Sequence, residues 1–132
     1  MPSFSKQSQQ QLKTCHHDLQ SIFSAVERTV DCEISCGHRS HDAQEQAYEE
    51  GRSGFHWPES HHNDKPSMAV DVMPVDIDED DMRRWYWFGG YVRGLADRLY
   101  DEGVVTHRLH WSGEQGDPEL SKYPHFEIYL PH

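Results

Sequence analysis

Asp71 stands inside an apolar stretch, Met68-Ala69-Val70-Asp71-Val72. A carboxylate there is costly unless it is paired or bound to a metal. His62 comes nine residues earlier, in a segment rich in Gly, Pro, Ser, Asn and His. Near the other end of the sequence, Tyr123 to Leu130 alternates in character. Phe126, Ile128 and Leu130 face one way; His125, Glu127 and Tyr129 face the other. Two imidazoles and a carboxylate with a fourth position open make a catalytic type of zinc site, whereas a structural site is closed by four protein ligands. Spacing alone leaves the pairing open, because the chain has 11 His and His61 is an adjacent rival of His62. His16, His17, His38, His56, His107, His110 and His132 are read as surface or hydrogen-bonded histidines.

These residues need elements to hold them. Residues 5 to 13 are polar and compatible with a helix. Leu19, Ile22, Phe23, Val26 and Val30 follow the spacing of an amphipathic helix, with Asp18 near its start. Cys32, Ile34 and Cys36 alternate with polar residues and predict a short strand ending at Gly37. Residues 41 to 50 predict a helix with Ala43, Ala47 and Tyr48 on one face, stopped at Gly51. Residues 51 to 67 form a long loop, and long loops in compact domains are often functional. Met68–Val72 predicts a strand. The run Asp76, Asp78, Glu79, Asp80, Asp81 then opens a long helix, where acids suit the helix dipole. Its expected apolar side is Met82, Trp85, Tyr86, Val92, Leu95, Ala96 and Leu99, and Gly103 closes it. Val104 to Trp111 is strand-like, residues 112 to 121 form a turn, and the alternating segment carrying His125 is the last strand. Helices and strands mix without βαβ regularity. The expected fold is therefore α+β, a small mostly antiparallel sheet packed with helices, in one domain spanning 1–132.

Composition narrows the function classes. The chain has 132 residues, 35% hydrophobic and 11% aromatic, and a net charge of -11. That acidity disfavours nucleic acid, which takes a Lys/Arg surface. No stretch approaches the roughly 20 apolar residues of a membrane span, and the start has no apolar h-region. The expectation is a protein made in a cytoplasm that stays there unless something else releases it, and a monomer is expected. The three cysteines, Cys15, Cys32 and Cys36, are read as reduced, buried structural thiols. On a strand, Cys32 and Cys36 stand roughly 13 Å apart, too far to share a metal.

Several blocks resemble one family in order along the chain. Ser60-His61-His62-Asn63, followed by Pro66-Ser67-Met68-Ala69-Val70-Asp71-Val72-Met73-Pro74, resembles the Ser-x-His-Asn…Pro-Ser-x-Ala-Val-Asp-Val-x-Pro block of phage L-alanyl-D-glutamate peptidases. These are related to VanY-type D-alanyl-D-alanine carboxypeptidases, peptidase family M15. Cys15-His16-His17-Asp18-Leu19 resembles that family's opening. Cys36-Gly37-His38-Arg39 with Gln44, Tyr48 and Gly51-Arg52-Ser53 resembles its Gly-x-Arg…Gln…Gly-Arg-Ser stretch. Tyr123-Pro124-His125-Phe126-Glu127 resembles its Pro-His-Phe-Glu end. The resemblance implies a Hedgehog/D-Ala-D-Ala-peptidase-like fold and one zinc held by His62, Asp71 and His125. It implies that Arg39 stabilises the carbonyl oxygen as it becomes negative, that Ser60 and Gln44 contact substrate, and that the substrate is a peptidoglycan peptide containing a D-residue.

One slot departs from the pattern. The family carries an Asp or Glu three residues before its last His, as general base; here that residue is Lys122. A charged lysine cannot accept a proton. Glu119, Asp117, Glu114 and Glu127 are the acids near enough in sequence to replace it. Three readings follow: a phage-endolysin-type zinc peptidase, a catalytically weakened zinc module that binds cell-wall peptide or a phage partner, and a virion structural protein. If a neighbouring acid has taken over, Lys122→Asp changes the hydrolysis of an L-Ala-D-Glu peptide little. If the base is missing, the same substitution raises the rate by about 10²–10⁴ at unchanged zinc content.

Overall fold

The computed structural model describes residues 4–75, 78, 80–115 and 123–131. Four helices and four strands follow in the order α1 (Lys6–Lys13), α2 (His17–Glu27), β1 (Cys32–Cys36), α3 (His41–Glu49), β2 (Ala69–Pro74), α4 (Met82–Asp101), β3 (Arg108–Trp111) and β4 (His125–Tyr129). Side-chain caps set the helix starts by satisfying backbone N–H groups that have no partner within the helix. Ser5 accepts from Ser8 N, Ser40 from Ala43 N and Asp81 from Arg83 N. Gly51 and Gly103, at φ of 77° and 76°, follow the last turns of α3 and α4 in the left-handed conformation that glycine adopts without strain.

The strands form one antiparallel sheet in the order β1-β2-β4-β3. Alternation gives it two unlike faces. Ile34, Val70, Val72, Leu109, Trp111, Phe126 and Ile128 are buried in a common core with Leu19, Ile22, Phe23 and Val26 of α2 and Trp85, Phe88, Val92 and Ala96 of α4. Phe126 is its centre, meeting Phe23 and Phe88 edge-on at 5.3 and 6.0 Å between centroids. A Cβ on Gly89 would lie 2.5 Å from the Trp111 ring, so only glycine lets α4 approach β3 this closely. The other face carries Asp71, His125 and Glu127, with Asp71 directly opposite His125 in register.

The α+β, mostly antiparallel architecture matches the sequence expectation; several details do not. Cys36 does not share a face with Cys32 and Ile34. The register of β1 shifts between Ile34 and Cys36, so that Cys36 lies opposite Asp71. One extra residue turns a side chain to the other face of the sheet. On α3 the buried residues are Gln44 and Ala47, while Ala43 and Tyr48 are exposed. On α4 the buried stripe runs Trp85, Phe88, Gly89, Val92, Ala96, which leaves Tyr86 at its exposed margin. The acidic run precedes α4, with Asp81 as its cap and no acid in the first turn. Leu130 lies past the end of β4 and is exposed. β3 begins only at Arg108, because Asp18 takes the preceding backbone.

Asp18 Oδ2 accepts from Thr106 N (3.0 Å), Thr106 Oγ1 (3.1 Å), His107 N (3.1 Å) and His107 Nδ1 (2.6 Å). This ties the start of α2 to the turn before β3. Burial raises the Asp18 carboxyl, but the hydrogen bonds of His107 and Thr106 outweigh it and hold it below the ordinary carboxylate range. A carboxylate lowered in this way stabilises the fold above its ordinary range, and that stability is lost as pH falls through the lowered value. Asp18→Ala leaves buried donors without an acceptor. It should lower the unfolding free energy at neutral pH by about 2–3 kcal/mol. In denaturant titrations, the gap between wild type and variant should close as the solution is made acid.

Candidate metal centre

His62 is delivered by a single 3₁₀ turn, His61–Asn63, at the end of the long loop. Ser60 caps this turn by accepting from His62 N, and Asn63 closes a capping box back to Ser60 N. The loop is pinned to the body of the fold. His16 N donates to Ser67 O, Ser67 N to Thr14 O, Met68 N to His61 O and Arg39 N to His62 O (2.7 Å). His62 is consequently 2% exposed.

Three acceptor atoms meet on the polar face of the sheet. His62 Nε2 lies 3.2 Å from Asp71 Oδ1 and 3.2 Å from His125 Nδ1, and those two lie 3.1 Å apart. The far nitrogen of each ring is committed elsewhere. His62 Nδ1 donates to Gly37 O at 2.7 Å, and His125 Nε2 donates to Glu127 Oε1 at 2.8 Å. With those protons on the outer nitrogens, all three facing atoms present lone pairs. Ligands at 2.0–2.1 Å from a tetrahedral ion stand about 3.4 Å apart, close to the triangle seen here. Committed outer nitrogens are the usual support of metal-binding histidines. Residues and geometry therefore fit a divalent metal ion.

Electrostatics agree. Burial lowers the His62 imidazole, but hydrogen bonds with Asp71 and Cys36 raise it further, to about 10. His125 is also raised, its burial being outweighed by hydrogen bonds with Asp71 and Glu127. Burial raises Asp71, yet the two histidines hold it far below the carboxylate range. The cluster attracts positive charge, as a proton or as a metal.

Arg39 is buried beside this group and is not a surface arginine. Its Nη2 lies 3.8 Å from Asp71 Oδ2, and its Nη1 donates to Gln44 Oε1 at 3.0 Å. Gln44 Oε1 also accepts from Asn63 Nδ2, while Gln44 Nε2 donates to Ser53 Oγ and Phe55 O. Gln44 and Ser60 were expected to contact substrate. Within the protein, their polar atoms hold Arg39 and the His62 turn. Glu127 stands behind His125. Glu114 pairs with Arg93 of α4. Glu119, Asp117 and Lys122 lie outside the described residues, as does His132. His61, the rival ligand, is exposed and bonds to Asp64 at 3.0 Å.

Two features escaped sequence reading. Cys36 is half-buried at the site, its Sγ 3.8 Å from His62 Nδ1 and 3.6 Å from Arg39 Nη2, whereas Cys15 and Cys32 are buried core thiols. It meets the outer nitrogen of His62, not the one that faces Asp71. Gly37 supplies the carbonyl that orients His62. A second group of ligand types, His16, Asp18 and His107, also comes together. There His16 Nδ1 accepts from Asp18 N and Asp18 Oδ2 accepts from four donors, so the lone pairs of these two atoms are already engaged.

No protein-family model matches the sequence, and no curated protein matches it. The chain is similar to the crystal structure of the Serratia marcescens L-Ala D-Glu endopeptidase ChiX, with a TM-score of 0.68 and 22% identity over 97% of this chain and 91% of that one. At that identity the likeness establishes the fold.

Titration with zinc should show one tight site per chain. His62→Ala, Asp71→Ala and His125→Ala should each abolish it, and His61→Ala should not. Glu127→Gln should weaken binding by roughly 10- to 100-fold. Retention of tight zinc by His62→Ala would refute the assignment.

Proposed function

We propose that this chain is a zinc-dependent peptidase of the phage endolysin type that cleaves peptidoglycan stem peptides, at an L-Ala-D-Glu or D-Ala-containing bond. One observation carries the reading: His62 Nε2, Asp71 Oδ1 and His125 Nδ1 converge within 3.2 Å, with Arg39 beside them. The fold shared with an L-Ala D-Glu endopeptidase supports the choice of substrate. Zinc in such a site polarises a carbonyl and makes water acidic enough to attack near neutral pH.

The chain's own groups do the rest. Arg39, fixed by Gln44, offers its guanidinium to the scissile oxygen as negative charge develops. Gly37 and Glu127 keep the two imidazoles in the tautomers that leave Nε2 of His62 and Nδ1 of His125 free. Glu127 thus acts as a positioning residue rather than as the base. Its Oε1 is held by His125, and Glu114 is held by Arg93. Of the four acids near Lys122 in sequence, Glu119 and Asp117 remain the candidates for the base. Among the described residues no helix is long and apolar enough to cross a membrane. Access to the wall through a separate lysis factor is part of the proposal. The weakened-module reading has one observation in its favour, Lys122 in the usual base position.

Turbidity of outer-membrane-permeabilised cells separates the two readings. Wild-type protein should clear the suspension, and a chelator should stop it. Arg39→Ala should slow clearing by about 10²–10³ while zinc content is kept. Full zinc occupancy with no clearing would favour the binding module.

A further inference from the structure

Exposed aromatic rings gather on α3 and the loop after it, around Gln44, which holds Arg39, and the chemistry above makes no use of them. Tyr48, Phe55 and Trp57 are exposed at 42%, 53% and 43%. The His56 ring lies against Tyr48 with centroids 3.8 Å apart, and His41 meets Trp57 at 5.3 Å. Ionisable groups border the rings. His56 Nδ1 pairs with Glu45 at 2.7 Å and His41 Nδ1 with Asp42 at 3.0 Å.

This aromatic shelf is tied to the site through backbone. Gln44 Nε2 donates to Phe55 O at 2.8 Å and to Ser53 Oγ at 3.0 Å, and Ser53 Oγ accepts from Phe55 N. Glu59 Oε1 accepts from His56 N. The opposite end of Gln44 holds Arg39, whose guanidinium reaches Asp71. Gln44 therefore links the backbone that carries these rings to Arg39.

We propose that this shelf binds the glycan strand of peptidoglycan while the attached peptide lies at the metal centre. The proposal rests on the peptidase reading above and, within it, on the L-Ala-D-Glu bond. The stem peptide is joined at its N-terminal L-Ala, through a lactyl group, to an N-acetylated sugar. An enzyme cutting after that residue must therefore accommodate a sugar close to the scissile bond. A pyranose offers a face of C–H groups, which suits the electron-rich face of an aromatic ring. Its hydroxyl and acetamide groups find hydrogen-bonding partners in His41, His56 and Glu45 at the margin. Glu45, Asp42, Glu49 and Glu50 disfavour a phosphate-rich polymer at the same place. Rings interleaved with ionisable side chains also differ from the apolar centre of a protein-binding patch.

The probe is a peptide-free glycan strand, titrated by calorimetry against the zinc-loaded protein. Wild type should bind it, and Trp57→Ala and Phe55→Ala should each weaken binding roughly 3- to 10-fold. Both side chains are exposed, and circular dichroism checks the folding of each variant. In cleavage, each variant should lower the ratio of kcat/KM for a disaccharide-peptide over a sugar-free stem peptide by a similar factor. No glycan binding by wild type, or an unmoved ratio, would overturn the proposal. Glycan binding that weakens in both variants while neither substrate is cleaved would support the shelf and sink the peptidase reading.

Discussion

Three ligand atoms that face one another across 3.1–3.2 Å and must share a positive charge, as a proton or as a metal ion, set the terms for the rest of this structure. His62 and His125 have given their N–H groups to Gly37 O and Glu127, and Asp71 has none to give. Acceptors repel at this distance, and partial burial strengthens the repulsion. Only a cation relieves it. The fold has to hold the three atoms together against that repulsion. Asp71 and His125 are held by one ladder, as cross-strand partners on β2 and β4. His62 has no strand, so a capped turn and a loop stitched to Thr14, His16 and Arg39 hold it instead.

The group around Asp18 makes the contrast plain. It is also built from two histidines and an aspartate, yet there Asp18 Oδ2 and His16 Nδ1 each meet donors. Such a group stabilises the fold and leaves nothing for a metal. Residue types are the same in both clusters; the inventory of protons differs. The sheet divides these roles further. Its apolar face packs against α2 and α4 and supplies the stability, so its polar face can carry buried groups that would be costly on their own.

The fold was largely legible in the sequence, because its signals are local. The apolar spacing of α2, the alternation in β4 and the stops at Gly51 and Gly103 depend on near neighbours in the chain. Asp71 was legible for a similar reason: a charge inside an apolar strand is anomalous wherever the strand is placed. The expected α4 stripe includes Tyr86 and does not name Phe88, because which residues of an apolar helix face inward depends on what packs against it.

The sequence by itself determined the elements, the two-faced sheet and the residue types of the cluster, since periodicity and local charge are properties of neighbouring residues. Only the tertiary structure decided which ring nitrogens point inward, and it did so through acceptors far away in sequence, such as Gly37 O for His62. It also moved Cys36 to the site, because a register shift exists only between two paired strands. Ser60 and Gln44 became supports for His62 and Arg39 because their hydrogen-bond partners come from separate segments of the chain. The physical reason is common to all of these. A hydrogen bond acts over about 3 Å, and which atoms come within that distance is settled when the loop folds onto the sheet.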